Sequence, residues 1–388
     1  MEATMDNTLA CGRYVVELLR AALLEEVPRE KPEEFTFEEI YSMVKKHHLE
    51  TMTYEGIRRL RNKPESELME RWRRSQTTNM ARSLVQRQER DRILNALTEQ
   101  GIDVLPLKGC QMIEMYPKPE YRQMADLDIM IRGEQAERVR SCLEDLGYDC
   151  LRFDVTNEDT YGKKPFMHLE MHRTLMSEAS SELLLKEYFR DAWSRALPER
   201  EIPHRYYFSW DDYYVYMLAH FYKHYNSRGS GIRNVMDLWV FRQVHGSELN
   251  QDYVERELRK MKLTEFRSSM EELSDRWFGS SFSPLPSQEE LEMVIITSGA
   301  YGLRSTGREK LLQRLRKEYG KDRGTIRYMQ ELLFPSYQKI IVKYPRFYGY
   351  QKFLPVLWIL RWGDKILHDR ERIYGNIKLL MHSRKDTE

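Results

Sequence analysis

Cysteine is scarce in this chain: its 388 residues include four, Cys11, Cys110, Cys142 and Cys150, and no two form a CxxC pair. A chain this long does not need disulfide staples, so neither a disulfide scaffold nor a zinc ribbon is indicated, and a reducing, cytoplasmic setting is expected. Excess charge of either sign is also missing, since 62 Lys+Arg stand against 61 Asp+Glu. That balance excludes the global basic field of a dedicated nucleic-acid coat and leaves no strong nucleic-acid signal. Long apolar runs are absent as well. FLPVLWIL at 353–360 falls far short of the roughly 20 residues a membrane span needs, so no transmembrane segment is expected. The first residues carry acids where a signal peptide carries basic groups, and their apolar positions recur at helical spacing. No repeat with a period of 20–50 residues and no low-complexity stretch interrupts the sequence.

What is present is enough apolar material, 41% hydrophobic and 12% aromatic, for packed cores. The length suits roughly two to three domains. Three regions are legible: an all-helical lead-in at 1–98, a strand-and-helix core at 99–200 and a helical region at 201–388. The lead-in ends in a long helix from Glu65 to Gln100, within a stretch at 58–92 where eleven basic residues face five acids, read as a solvated face. In the core, IDVLPL gives way to a Lys108-Gly109 turn and a short helix. A turn-rich PKPEYRQMA leads into the strand DLDIMIR, an amphipathic helix ends at Gly147, and YDCLRFDV and FMHLEMH follow as strands. From about Ser177 the helical pattern returns, through 211–225, 231–244 and 284–318. The aromatics at 206–216 are read as helical core. The fold class expected is α/β (α+β): a small mixed sheet with large helical additions.

The chemistry-bearing residues sit in the core. Alternation along DLDIMI puts Asp126 and Asp128 on one face, where two carboxylates this close repel unless a hard divalent cation such as Mg²⁺ neutralises them. The same alternation in FMHLEMH puts His168, Glu170 and His172 on one face, so Glu170 can join the aspartates if the strands pair. Gly109 lets backbone N–H groups approach a phosphate, and Lys108 and Arg122 are candidate phosphate ligands.

LPLKGCQMIEMYPKPEYRQMADLDIMIR followed by MHLEMHR resembles the nucleotidyltransferase superfamily with the polymerase-beta-like fold, and more narrowly its bacterial family of uncharacterised nucleotidyltransferases. The segments at 218–241 and 334–361 are also similar to that family's helical regions. The resemblance implies Asp126 and Asp128 as the metal-binding pair, Glu170 as the third carboxylate and Gly109 as the turn glycine. Lys108, Cys110, Arg122, Lys223 and Asp237 become nucleotide-cleft candidates. Two departures stand out: Cys110 follows the turn glycine where Ser or Gly is usual, and the 111–125 segment is longer than the superfamily spacing.

The implied activity is Mg²⁺- or Mn²⁺-dependent transfer of a nucleotidyl group from an NTP to a hydroxyl on a small molecule, sugar, protein or RNA. Rival readings are an Asp-x-Asp glycosyltransferase using a sugar nucleotide, and an inactive nucleotide-binding or interaction module. A tRNA-modifying role would recruit the basic stretches at 58–92 and 304–327. His168, Glu170 and His172 could instead form a transition-metal site, and His220 and His224 stand at ligand spacing on a helix. One helical turn separates Arg233 from Asp237, the spacing of an intrahelical ion pair.

Overall fold

A computed structural model describes residues 2–177, 182–280 and 288–300, together with 302, 311–313, 315–316, 319–337, 340, 343–344, 347 and 350–368. Parts of the 284–318 and 304–327 stretches singled out above lie outside the described residues. Four helices open the chain: α1 (Glu2–Leu23), α2 (Phe37–His47), α3 (Glu50–Ile57) and α4 (Ser66–Glu99). A capping box starts α2: the Thr36 hydroxyl accepts from the Glu39 amide at 3.2 Å, and the Glu39 carboxylate accepts from the Thr36 amide at 2.7 Å. The basic stretch around α4 is largely neutralised. Arg58, Arg71, Arg73, Arg74, Arg87, Arg90 and Arg92 each pair with a carboxylate, and apart from the pairs of Arg58 with buried Glu55 and of largely covered Arg90 these lie in exposed positions where an ion pair contributes little.

Five strands follow, β1 (Val104–Pro106), β2 (Leu127–Ile131), β3 (Asp149–Arg152), β4 (Glu158–Lys163) and β5 (Met167–His172), with α5 (Gly109–Met112) after β1 and α6 (Ala136–Asp145) after β2. They form one mixed sheet in the order β1-β2-β5-β4-β3, in which the β2–β5 pair is parallel and the others are antiparallel. Alternation divides the sheet's residues between two cores. Leu127, Ile129, Ile131, Leu169 and Met171 pack with Ile93, Leu94 and Leu97 of α4 and Val139 and Leu143 of α6. On the other side, Leu105 and Met130 join a second core that runs continuously from α1 and α3 into the helices that follow the sheet.

Those later helices include α7 (Leu183–Tyr188), α8 (Trp210–Ser227), α9 (Ile232–His245), α10 (Gln251–Lys260), α11 (Thr264–Phe278) and α12 (Glu289–Ser298), with further helices at Lys321–Leu333 and Leu354–His368. The Ser209 hydroxyl caps α8, and α9 is buried on nearly every side. No helix among the described residues is long and apolar enough to cross a membrane.

The chain departs from the sequence expectation in two places. Tyr206, Tyr207 and Phe208 are strand, β7 (Tyr206–Phe208), paired antiparallel with β6 (Ala196–Pro198), where helical core was expected. The hairpin docks on the edge of β1, with the Val104 amide bonded to the His204 carbonyl at 2.9 Å, so an edge partner distant in sequence decides the conformation. Strand β4 was not anticipated because EDTYGK is polar. It is central nonetheless: Asp159 is fully buried and both its oxygens accept from Arg173.

Candidate active site

The parallel pairing of β2 and β5 brings Asp128 directly opposite Glu170, with Leu127 opposite Leu169 on the apolar face. Both acids open into a cleft of about 540 Å³ between the sheet and α8–α9. Asp126, one residue before β2, also lines it. Ligand atoms of Asp128, Glu170 and His172 all lie within 4.8 Å of one another. His172 is two residues beyond Glu170 on the same face, and its Nε2 is 2.8 Å from Asp128 Oδ1 and 3.6 Å from Glu170 Oε2. Its Nδ1 is buried without a partner. The tight cluster therefore consists of two acids and a histidine, with Asp126 beside it. His168 is exposed and stands outside that cluster.

Charge pairing sets the acids apart electrostatically. Lys108 Nζ lies 2.9 Å from Asp128 Oδ1. Burial alone would raise the Asp128 pKa, but Lys108 and His172 outweigh it and hold the carboxyl well below the usual range. Burial and the neighbouring Asp128 carboxylate push Asp126 upward. Burial, with Asp128 and Asp126 adding to it, raises Glu170 to about 7. A carboxyl with a raised folded pKa keeps its proton while the unfolded chain releases one, so stability falls with rising pH from the ordinary glutamate range to about pH 7. Glu170→Gln should therefore stabilise the metal-free protein at pH 8 by roughly 1–3 kcal/mol and change little at pH 4. Urea unfolding at the two pH values checks this, and equal midpoints for both proteins at pH 8 would contradict it.

The nucleotide-cleft candidates divide. Lys108, Gly109, Arg122, Lys223 and Asp237 line the cleft. Cys110 does not: its side chain is buried in the sheet–helix core, Sγ donates to the Asp128 carbonyl at 3.5 Å, and burial with Asp128 pushes the thiol up to about 12. Lys108 is tied to Asp128, and its backbone takes a left-handed φ of +37°, held by the Tyr213 hydroxyl donating to its carbonyl at 2.8 Å.

Arg122 and Asp237 are joined to each other. Arg122 Nε and Nη2 donate to the two Asp237 oxygens at 2.8 and 2.9 Å, and Tyr116 donates to Oδ1 at 2.7 Å, all buried. Arg233 consequently makes no ion pair with Asp237. Its Nη1 donates to the Gln123 carbonyl at 3.0 Å. Glycine at 109 is required by the close approach of Arg122, since a Cβ there would meet Nη1 at 2.7 Å.

His220 and His224 bond to each other, Nε2 to Nε2 at 2.9 Å, and burial followed by the Lys108 charge depresses both pKa values, His224 to about 3. One ring donates its Nε2–H and the other accepts at an unprotonated Nε2, so the accepting imidazole is neutral. Tyr213 and Tyr216, expected as helical core, are buried on α8 and also line the cleft, and the cleft residues that sequence reasoning passed over are Arg228 and Ser230. Their only sequence signal is their place at the end of α8 and in the turn that follows it.

Residues 33–279 match the family described as uncharacterised nucleotidyltransferase. The chain belongs to that family. The match takes in most of the helical lead-in, the whole sheet and α8 to α11, and it ends before the 334–361 segment. No curated protein and no solved structure matches the chain. In this nucleotidyltransferase family member, Asp126, Asp128 and Glu170 therefore share one cleft with Lys108, Lys223 and Arg233.

Proposed function

We propose that the chain transfers a nucleotidyl group from an NTP to a hydroxyl acceptor, with a divalent cation held at Asp126, Asp128, Glu170 and His172. The observation that carries this reading is the direct register of Asp128 and Glu170 across β2–β5 inside a cleft, in a chain of this family. Three carboxylates suit Mg²⁺ or Mn²⁺, and the imidazole of His172, whose Nδ1 is buried without a partner, adds a nitrogen donor that Mn²⁺ accepts more readily than Mg²⁺. When bound, such a cation supplies neutralisation of phosphate charge and acidification of the attacking hydroxyl.

The chain's own residues do the rest. The acceptor oxygen bonds to the α-phosphorus, the bond from that phosphorus to the bridging oxygen breaks, and pyrophosphate leaves. Glu170, which faces Asp128 across β2–β5 in the same cleft, is the carboxylate we assign to take the hydroxyl proton. Lys108 keeps Asp128 ionised, and Tyr213 fixes Lys108.

The test is incubation with Mg²⁺ or Mn²⁺, cell extract and NTPs labelled separately at the α- and γ-phosphates. Transfer of the α-label with release of pyrophosphate is expected. Transfer of the γ-label, or transfer of sugar from a sugar nucleotide in the absence of nucleotidyl transfer, would overturn the reading.

A further inference from the structure

Lys108 and Arg122, the cations that sequence reasoning offered to the phosphates, are engaged by Asp128 and Asp237. The cleft carries three other cations on its helical wall: Lys223 on α8, Arg228 at the end of α8, and Arg233 in the first turn of α9. Among the described residues, none of the three forms an ion pair. Lys223 is half-buried, and burial followed by the Lys108 charge lowers its pKa. Arg233 is anchored at Nη1 by the Gln123 carbonyl, while its Nε is buried with no acceptor. A buried donor without a partner is costly unless a ligand completes it.

The backbone between the two helices is fixed rather than loose. Gly229 has φ +89°, and a Cβ at Gly231 would meet the Gly299 carbonyl oxygen at 2.5 Å, so the 229–231 turn is clamped against the residue that follows α12. Buried Ser230 accepts from Asn234. The wall is within electrostatic reach of the acids, with Arg233 near Asp126, and Glu158, Glu170 and Asp128 near Lys223.

We infer that Lys223, Arg228 and Arg233 form the cradle for the phosphate chain of the nucleotide, on the helical wall that faces the carboxylates. This rests on the nucleotidyl-transfer reading and adds to it the side of the cleft from which the phosphates are held. Three cations without an ion-pair partner among the described residues suit a polyanion of several phosphates, and two of them are guanidinium groups whose forked donors match phosphate oxygens.

The probe is inorganic tripolyphosphate, titrated calorimetrically against the full chain without metal, beside an NTP, its monophosphate and its nucleoside. Lys223→Met and Arg228→Gln are each expected to weaken tripolyphosphate and NTP binding roughly ten- to hundredfold and to leave nucleoside binding unchanged. Arg228→Lys should recover part of the loss. Arg228 is exposed and Lys223 half-buried, so both variants should keep the parent melting temperature. Unchanged tripolyphosphate affinity in both variants, or an equal loss for nucleoside and NTP, overturns the cradle. Failure of the parent to bind tripolyphosphate also overturns it. A parent that binds tripolyphosphate through these residues yet transfers no nucleotide keeps the cradle and overturns the nucleotidyl-transfer reading.

Discussion

Asp128→Asn is expected to lower nucleotidyl transfer by roughly 10²–10⁴-fold and to weaken binding of the divalent cation, although the side chain keeps its size. The residue is 3% exposed, and its Oδ1 is shared by Lys108 at 2.9 Å and His172 at 2.8 Å. Removing the negative charge leaves the half-buried Lys108 ammonium without its ion-pair partner. The substitution should also destabilise the protein by about 3 kcal/mol at neutral pH. The sign follows from the depressed carboxyl: its contribution is present above the ordinary aspartate range and is lost as the pH falls through the folded value. The destabilisation should therefore shrink in acid. Mn²⁺ binding followed by electron paramagnetic resonance, together with urea unfolding at pH 7 and in acid, separates the two effects. A variant with parental Mn²⁺ affinity and parental turnover would remove Asp128 from the site.

The largest effect on stability is expected from Arg122→Met. The bidentate pair with Asp237 is buried, with side-chain exposures of 10% and 7%, and Tyr116 completes the network. Deleting one partner leaves an uncompensated carboxylate in the interior, at a cost of about 3–5 kcal/mol. Replacing both partners, Arg122→Met with Asp237→Leu, should restore much of the loss, because two apolar side chains of similar volume leave no charge unpaired. Urea unfolding of the single and double variants reads this directly. An Arg122→Met protein with parental stability but weakened NTP binding would return Arg122 to the phosphates.

Arg122 lies four residues before Asp126, and from spacing alone a guanidinium there can reach a phosphate. Asp237 is 115 positions away in sequence, on α9, and nothing in the local pattern of either segment says that the two meet. The same holds for Cys110, which follows the turn glycine and stands where a phosphate-facing hydroxyl is usual. One residue further along a helical turn its side chain points into the sheet–helix core.

The sequence by itself determined the elements whose physics is local. Alternation with period two fixed the faces of β2 and β5, so Asp128 and Glu170 had to share a side of any sheet that paired the two strands, and His172 had to share it with them. Helical periodicity fixed α4, α8 and α9, and the composition fixed the packed cores. Tertiary structure alone decided the rest: β4, whose buried Asp159 is paired by Arg173, the β6–β7 hairpin, which is held by an edge of β1, and the choice of which cations among the described residues remain without a carboxylate. Charge pairing depends on distance in space and on burial, neither of which residue spacing encodes, so Lys108 and Arg122 became ion-pair partners while Lys223, Arg228 and Arg233 kept their charge open to the cleft.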